Sequence, residues 1–132
     1  MIVLDASIVV ELLTNGPLAD SVRDKLMRRD ESVVVPHLMD VEVVSAIRSL
    51  TAGQRIDADR VSQILTSLAS LPAERFPHTP MLARMWELRH NFTAYDAAYI
   101  ALAEAMNAVL YTSDEKLCRG HRAQIELVRP PK

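Results

Sequence analysis

The sequence predicts a three-layer α/β/α fold around a central parallel sheet. Short apolar stretches such as "IVLD", "SVVV" and "AVLYT" are typical of buried strands, and amphipathic stretches with helical spacing lie between them. Proline and glycine fall where these stretches change, which separates the elements. With 132 residues, 49% of them apolar, the chain is long enough for one sizeable core and too short for two, so we expect a single domain over 1–132.

The first third of the chain predicts two strands and two helices. After the strand "IVLD", the stretch "SIVVELL" is helical and ends at Asn15 and Gly16, with Pro17 as a helix breaker. Apolar residues recur at helical spacing in "LADSVRDKLMRR", which predicts the second helix. The second strand, "SVVV", ends at Pro36.

The middle of the chain is mainly helical. "HLMDVEVVSAIRSL" predicts a helix that ends near Gly53, and "DADRVSQILTSLASL" predicts another between the N-cap Asp57 and Pro72. We expect "ERF" to form a short strand. Thr79 and Pro80 then begin the helix "MLARMWELRH".

The last third repeats the alternation of helix and strand. "NFTAYDAAYIALAEAM" predicts a helix in which Thr93 is the N-cap and Asp96 is the third helical position, a pair able to form a variant of the reciprocal capping box. The strand "AVLYT" follows directly through Asn107 and Ala108. A short helix after Asp114 and the strand "IELV" complete the alternation before a proline-rich tail.

Composition and charge exclude several classes of protein. A net charge of −2 gives no overall basic field, so a nucleic-acid partner would require a local basic patch. The single cysteine, Cys118, excludes an internal disulfide, and no Cys/His cluster suggests zinc, which together favour the reducing cytoplasm. We expect no signal peptide and no membrane span, because no apolar stretch has the required length and flanks.

Four acids are predicted to meet at one edge of the sheet. The carboxyl ends of parallel strands form the sites of such folds, and Asp5 and Asp114 each follow the end of a strand. Glu42 lies about one turn into the helix after "SVVV". Asp96 begins a helix that runs directly into "AVLYT", and because that helix must run antiparallel to its strand, its first turn lies at the same edge.

Converging carboxylates favour a hard divalent cation as their partner. Neighbouring carboxylates repel and raise one another's pKa unless a positive charge intervenes. Mg²⁺ and Mn²⁺ prefer carboxylate oxygens and water, and they leave positions for phosphate oxygens. The chemistry indicated is metal-assisted hydrolysis of a phosphodiester, which requires no serine or histidine nucleophile.

Four segments together resemble the PIN-domain ribonucleases, specifically the VapC-type toxins of VapBC toxin–antitoxin pairs. The segments are "VLDASIVVELL", "VPHLMDVEVVSAI", "TAYDAAYIALAEAM" and "LYTSDEKL", in family order and spacing over nearly the whole chain. The resemblance implies a PIN-like fold, a metal-dependent endoribonuclease, a homodimer, and a VapB-type antitoxin that places an arginine on the acids. It also implies roles for six residues: Asp5, Glu42, Asp96 and Asp114 as catalytic metal-binding acids, with Ser7 and Thr112 as supporting hydroxyls.

Each residue also has a simpler structural explanation. Asp5 can simply begin the first turn after its strand, Ser7 and Asp114 are typical helix caps, and Thr112 is an ordinary residue at the end of a strand. Residues two apart on a helix diverge, so Asp40 is expected to be solvated or capping when Glu42 faces the site.

Other polar and aromatic residues receive less specific interpretations. Glu115 is expected to be an unpaired surface charge, and Met85 and Trp86 to be core or dimer contacts. The four histidines have no metal-type spacing and are expected at the surface or in caps; they are His37, His78, His90 and His121.

A small basic group beside Asp114 is the candidate for guiding an RNA backbone. It consists of Lys116, Arg119 and Arg122, whereas the other basic groups are typical of solvated helix faces.

Three other functions compete with this one. A haloacid-dehalogenase-type phosphatase requires a second Asp at the position of Ser7, so the sequence does not match that family. A receiver domain requires an acidic pair near the first strand, where this sequence has only Asp5. The remaining alternative is a catalytically silent PIN-fold module that binds RNA or an antitoxin.

Overall fold

Residues 1–130 are described by a computed structural model, and their centre is a five-stranded sheet in which every strand is parallel. The strand order is β3-β2-β1-β4-β5, so the first strand of the chain lies in the middle. The strands are β1 (Ile2–Leu4), β2 (Val33–Pro36), β3 (Ala73–Phe76), β4 (Val109–Thr112) and β5 (Gln124–Leu127). The α-helices are α1 (Ala6–Thr14), α2 (Ala19–Arg29), α3 (Leu38–Ala52), α4 (Val61–Ala69), α5 (Leu82–Glu87) and α6 (Ala94–Met106).

Burial of the central strand confirms the predicted three-layer arrangement. Ile2, Val3 and Leu4 are all buried, although successive strand residues point to opposite faces of the sheet. Both faces are therefore covered. This explains why the strands consist of continuous apolar runs without polar alternation.

Helix α6 packs most deeply among the helices described. Seven consecutive residues, Ala97–Ala103, are buried, and the helix contacts β1, β2 and β4. Four of the seven are alanines, whose small side chains allow the helix to approach the sheet closely. Burial of this stretch fixes the position of α6 against the sheet, and the first turn of the helix lies directly before it.

Most predicted helix ends are confirmed. Helix α1 ends at Asn15 in the left-handed conformation, with φ 53°, as predicted, whereas its N-cap is Asp5 and not Ser7. Thr93 caps α6, and Asn107 ends it with φ 51°. The tight link into β4 is thus produced by Asn107, because asparagine tolerates this backbone conformation better than most residues.

Two helices are shorter than predicted. A 3₁₀ turn, Ala58–Arg60, precedes α4 and is closed by a 3.0 Å bond from the Arg60 N–H to the Asp57 carbonyl, while the Asp57 side chain makes no cap bond. Asp57 thus holds the predicted N-cap position, but of the 3₁₀ turn and without a hydrogen bond from its side chain. Helix α5 ends at Glu87 because the Leu88 N–H is shared between two carbonyls at 3.2 Å and the chain turns.

Asp40 is neither simply solvated nor a cap. Its carboxylate receives two hydrogen bonds from Arg75, at 2.7 Å from Nε and 3.0 Å from Nη2. Arg75 lies on β3, which pairs with β2 in the register Val35↔Arg75 and so lies near the start of α3. The expectation for Asp40 failed because this neighbour depends on the pairing of β2 with β3.

No helix within residues 1–130 is both long and apolar enough to cross a membrane.

Candidate active site

A pocket of about 410 Å³ lies at the carboxyl edge of the sheet, where β1 and β4 end. The first turn of α6 and the first half of α3 complete its wall. All four predicted acids line it, together with a tyrosine, two serines and a fifth acid: Asp5, Ala6, Ser7, Glu42, Asp96, Tyr99, Ser113, Asp114, Glu115 and Leu117.

Asp5 is the most buried of the acids and is also a helix cap. Its Oδ1 accepts hydrogen bonds from the Ile8 N–H at 3.1 Å and from the Ser7 hydroxyl at 2.5 Å. Burial raises the pKa of Asp5, while hydrogen bonds from Ser7, Thr112 and the backbone oppose that rise. Ser7 is thus a hydroxyl of the pocket rather than the N-cap, which is Asp5 itself.

Asp96 lies in the first turn of α6, as the sequence predicts. The Thr93 Oγ1 accepts a hydrogen bond from the Asp96 N–H at 3.1 Å. The reciprocal bond of a capping box, from the Thr93 N–H to the carboxylate, is not among the hydrogen bonds of the described residues. Burial, followed by repulsion from Asp114, raises the pKa of Asp96, while Thr93 and Lys116 act in the opposite direction.

Glu42 reaches the pocket from α3 and receives a hydrogen bond from a residue that sequence reasoning missed. The Tyr99 hydroxyl donates to Glu42 Oε1 at 2.7 Å. Burial raises the pKa of Glu42, the bond from Tyr99 lowers it, and the charges of Asp96 and Asp5 raise it again. Burial and this contact hold the pKa of Tyr99 far above its usual range, so it stays a neutral donor. Tyr99 is three residues after Asp96, and that helical spacing was the available signal.

Asp114 caps the 3₁₀ turn Glu115–Cys118, since its Oδ1 accepts from the Lys116 N–H at 2.9 Å. The buried Thr112 accepts from the Asp114 N–H at 3.1 Å and so fixes the loop after β4. Capping and lining the pocket are compatible, because a carboxylate has several acceptor positions.

Glu115 is paired, which corrects the expectation for that residue. Arg129, after β5, donates a hydrogen bond to its carboxylate at 2.6 Å. The interaction joins the chain after β5 to the rim of the pocket.

The three basic candidates for RNA contact are not together. Lys116 is exposed, with its Nζ 3.9 Å from Asp114, and Arg119 is exposed just after the turn. Arg122 lies beside the last turns of α6, where its backbone N–H donates to Glu104 at 2.8 Å and its guanidinium is 3.9 Å away. That is the amino edge of the sheet, opposite the pocket, so the geometry does not support the grouping of Arg122 with the site.

The remaining side chains have structural roles. His78 accepts a hydrogen bond from the Leu38 N–H at 3.0 Å and thereby caps α3, as expected for a capping histidine. Trp86 is 67% exposed, with the Arg89 guanidinium over its ring, so it is not a core residue.

The donor set of the pocket fits a hard divalent cation. Among the described residues, the five carboxylates are accompanied by two cations, Lys116 near Asp114 and Arg129 paired with Glu115. Burial raises the pKa of Asp5, Glu42 and Asp96. In the arrangement of residues 1–130, however, no group of three or more His, Cys, Asp or Glu side chains is close enough to hold a metal ion. Binding would therefore require the carboxylates to approach one another.

The parallel sheet and the acidic pocket at its carboxyl edge place the protein in the class of α/β proteins with a candidate site for a divalent cation and a phosphodiester. Comparisons with known proteins narrow that class. Residues 2–122 match the PIN domain family. The chain is 42% identical to the ribonuclease VapC12 of Mycobacterium tuberculosis over 130 residues, which are 97% of this chain and 99% of VapC12.

Solved structures agree with this assignment. PAE2754 from Pyrobaculum aerophilum has a TM-score of 0.68 and 26% identity, covering 94% of this chain and 81% of that one. A toxin–antitoxin complex from Klebsiella pneumoniae has a TM-score of 0.64 at 18% identity, covering 91% and 92%, and supports the fold alone. The chain belongs to the PIN-domain family, in its VapC branch.

Proposed function

We propose that this protein is a metal-dependent endoribonuclease that acts as the toxin of a toxin–antitoxin pair. The observation that carries the proposal is the single pocket lined by Asp5, Glu42, Asp96 and Asp114. Burial raises the pKa of Asp5, Glu42 and Asp96, and repulsion from neighbouring acids adds to the rise for Glu42 and Asp96. The name of the relative VapC12 includes ribonuclease activity, which supports RNA as the substrate.

The four acids would hold Mg²⁺ or Mn²⁺. When bound, such a cation activates water and stabilises the charge of a phosphodiester during hydrolysis. The protein's own contribution is to supply oxygen donors from four separate segments and to orient them. Asp5 and Asp114 are fixed by backbone N–H groups, while Ser7 and Thr112 hold Asp5 and the loop after β4.

The first test is mapping of new RNA ends. Total cellular RNA is incubated with purified, antitoxin-free protein in Mg²⁺ or Mn²⁺, and the ends are sequenced. We expect new ends with wild type, and none with Asp96→Asn or with EDTA. Asp24→Asn is the matched control, because Asp24 is exposed on α2 outside the pocket, and it should cleave as wild type does. Identical ends for wild type and Asp96→Asn, with both proteins folded, would favour the catalytically silent binding module.

Lys116 and Arg119 are proposed to contact the RNA backbone. In the Asp96→Asn background, replacing both with alanine should weaken binding of unrelated RNAs to a similar degree and reduce its salt dependence. Arg122→Ala is the matched control, since Arg122 lies at the opposite edge of the sheet. Equal losses in the control and the double variant would contradict the assignment.

A VapB-type antitoxin and a second copy of the chain are the proposed partners. An arginine from the antitoxin would pair well with carboxylates that lack a cation, because a guanidinium forms two parallel hydrogen bonds with a carboxylate. If that is so, the purified antitoxin should raise the thermal midpoint of wild type more than that of Asp96→Asn. Equilibrium sedimentation of the toxin alone tests the dimer.

A further inference from the structure

We propose that Tyr99 is a positioning residue that orients Glu42 for metal binding. The inference rests on the proposed function and assigns a role to a residue outside the four acids. The observation behind it is the 2.7 Å hydrogen bond from the Tyr99 hydroxyl to Glu42 Oε1, inside the pocket.

Glu42 needs a positioning partner more than Asp5 and Asp114 do. Those two carboxylates are each fixed by a backbone N–H at the start of a helix or turn, from Ile8 and Lys116. Glu42 lies inside α3, where backbone N–H groups are already used, and its side chain has one more rotatable bond than aspartate. Among the described residues, the Tyr99 hydroxyl is its one hydrogen-bond donor.

Tyr99 is suited to that role because its ring cannot move freely. The residue is 2% exposed and lies within the buried stretch of α6. A ring packed in the core places its hydroxyl at a fixed point, and a buried hydroxyl requires a partner. The same helix carries Asp96 three residues earlier, so α6 supplies one acid directly and fixes a second from α3.

The bond leaves Glu42 able to bind a cation. It uses Oε1, so Oε2 and a remaining lone pair of Oε1 stay available. Partners of this kind fix the orientation of a metal-binding carboxylate, and their loss costs about 10- to 100-fold in metal affinity.

The test measures Mn²⁺ affinity without any substrate, from the electron paramagnetic resonance signal of free Mn²⁺. The proteins are wild type, Tyr99→Phe, Glu42→Ala and the double variant. Tyr99→Phe keeps the buried ring and removes one oxygen. Tyr111→Phe is the matched control, because Tyr111 is also buried and does not line the pocket.

We expect Tyr99→Phe to raise the Kd for Mn²⁺ about 10- to 100-fold, with Tyr111→Phe unchanged. In the Glu42→Ala background, the loss of the Tyr99 hydroxyl should have no further effect, because Tyr99 acts through Glu42. An unchanged Kd in Tyr99→Phe, or equal losses in both backgrounds, would overturn the inference while leaving the nuclease intact. Failure of wild type to bind Mn²⁺ would overturn the proposed function and this inference with it.

A second measurement uses wild type alone and does not depend on folding of the Tyr99 variant. With tyrosines labelled at ¹³Cζ, the chain gives three signals in its NMR spectrum, one for each tyrosine. Saturation with Mg²⁺ should shift the Tyr99 signal, because its hydroxyl binds a carboxylate that engages the cation, and should leave the Tyr111 signal in place. A Tyr99 signal that ignores Mg²⁺ would contradict the inference.

Discussion

Asp5 is predicted to have two opposite effects on the metal-free protein. Its buried negative charge destabilises the fold, and the hydrogen bonds that its Oδ1 accepts stabilise it. Two substitutions separate these effects. Asp5→Asn keeps an oxygen that can accept from the Ile8 N–H and the Ser7 hydroxyl but removes the charge, whereas Asp5→Ala removes both. The comparison of the two variants thus isolates the cap, and the comparison of Asp5→Asn with wild type isolates the charge.

The magnitude of the cap effect follows from the contacts of Asp5. Replacing an N-cap with alanine costs about 1 kcal/mol, within a range of roughly 0.5–2 kcal/mol. For a chain of this length, that corresponds to a thermal midpoint roughly 3–5 °C lower for Asp5→Ala than for Asp5→Asn.

The sign of the charge effect follows from the raised pKa of Asp5, caused by burial. When a carboxyl group has a higher pKa in the folded state than in the unfolded state, the free energy of unfolding of the protein falls as the pH rises from the unfolded pKa through the folded pKa. At pH 7.5 in EDTA, Asp5→Asn should therefore be more stable than wild type, and the difference should narrow as the pH falls toward 4.

Mn²⁺ should reverse the order of wild type and Asp5→Asn. A ligand at 100 times its Kd adds about 2.7 kcal/mol to the free energy of unfolding, and wild type should gain more of it than a variant lacking one acid. Urea unfolding followed by circular dichroism, in EDTA and in Mn²⁺, measures all three proteins. The reasoning is refuted if Asp5→Asn is clearly less stable than wild type in EDTA at pH 7.5.

Three further predictions concern neighbouring features. In EDTA, the stability gained by Asp96→Asn should grow as pH rises from about 4 to 7.5, because burial and repulsion raise the pKa of Asp96; urea midpoints that differ equally at every pH would contradict this. Thr93→Ala should lower the free energy of unfolding by about 1 kcal/mol and Thr93→Ser by much less, whereas equal losses would exclude the cap. Gly16→Ala should lower the free energy of unfolding by about 1 kcal/mol, because the new Cβ would lie 2.1 Å from Glu11 Oε2 and displace it from its 3.0 Å hydrogen bond with the Leu18 N–H. The same substitution should have no effect in a Glu11→Ala background.

The sequence was informative about the edge of the sheet at which the acids lie. Asp5 and Asp114 follow strands, and the direct link from α6 into β4 requires the first turn of α6, with Asp96, to lie at the carboxyl edge. These deductions use only the order and direction of elements, which the periodicity of apolar residues reveals. The fold class is confirmed for the same reason.

Pairings between distant segments were not legible from the sequence. The ion pair of Asp40 with Arg75 depends on β3 lying beside β2, and that of Glu115 with Arg129 depends on the path of the chain after β5. The contact of Tyr99 with Glu42 required knowledge of which faces of α3 and α6 approach each other. Apolar periodicity identifies the buried face of a helix but not its neighbour, so such partners emerge only from the folded chain.

The central position of β1 also determines when the protein can become functional during its synthesis. Its two neighbours are β2 and β4, so the middle of the sheet is complete only after Thr112 has left the ribosome. Until then, one side of β1 has no partner, and Asp5 has no wall opposite it. If the proposed function holds, the nascent chain cannot act as a nuclease for most of its translation, because Asp96 and Asp114 are the last of the four acids to be synthesised.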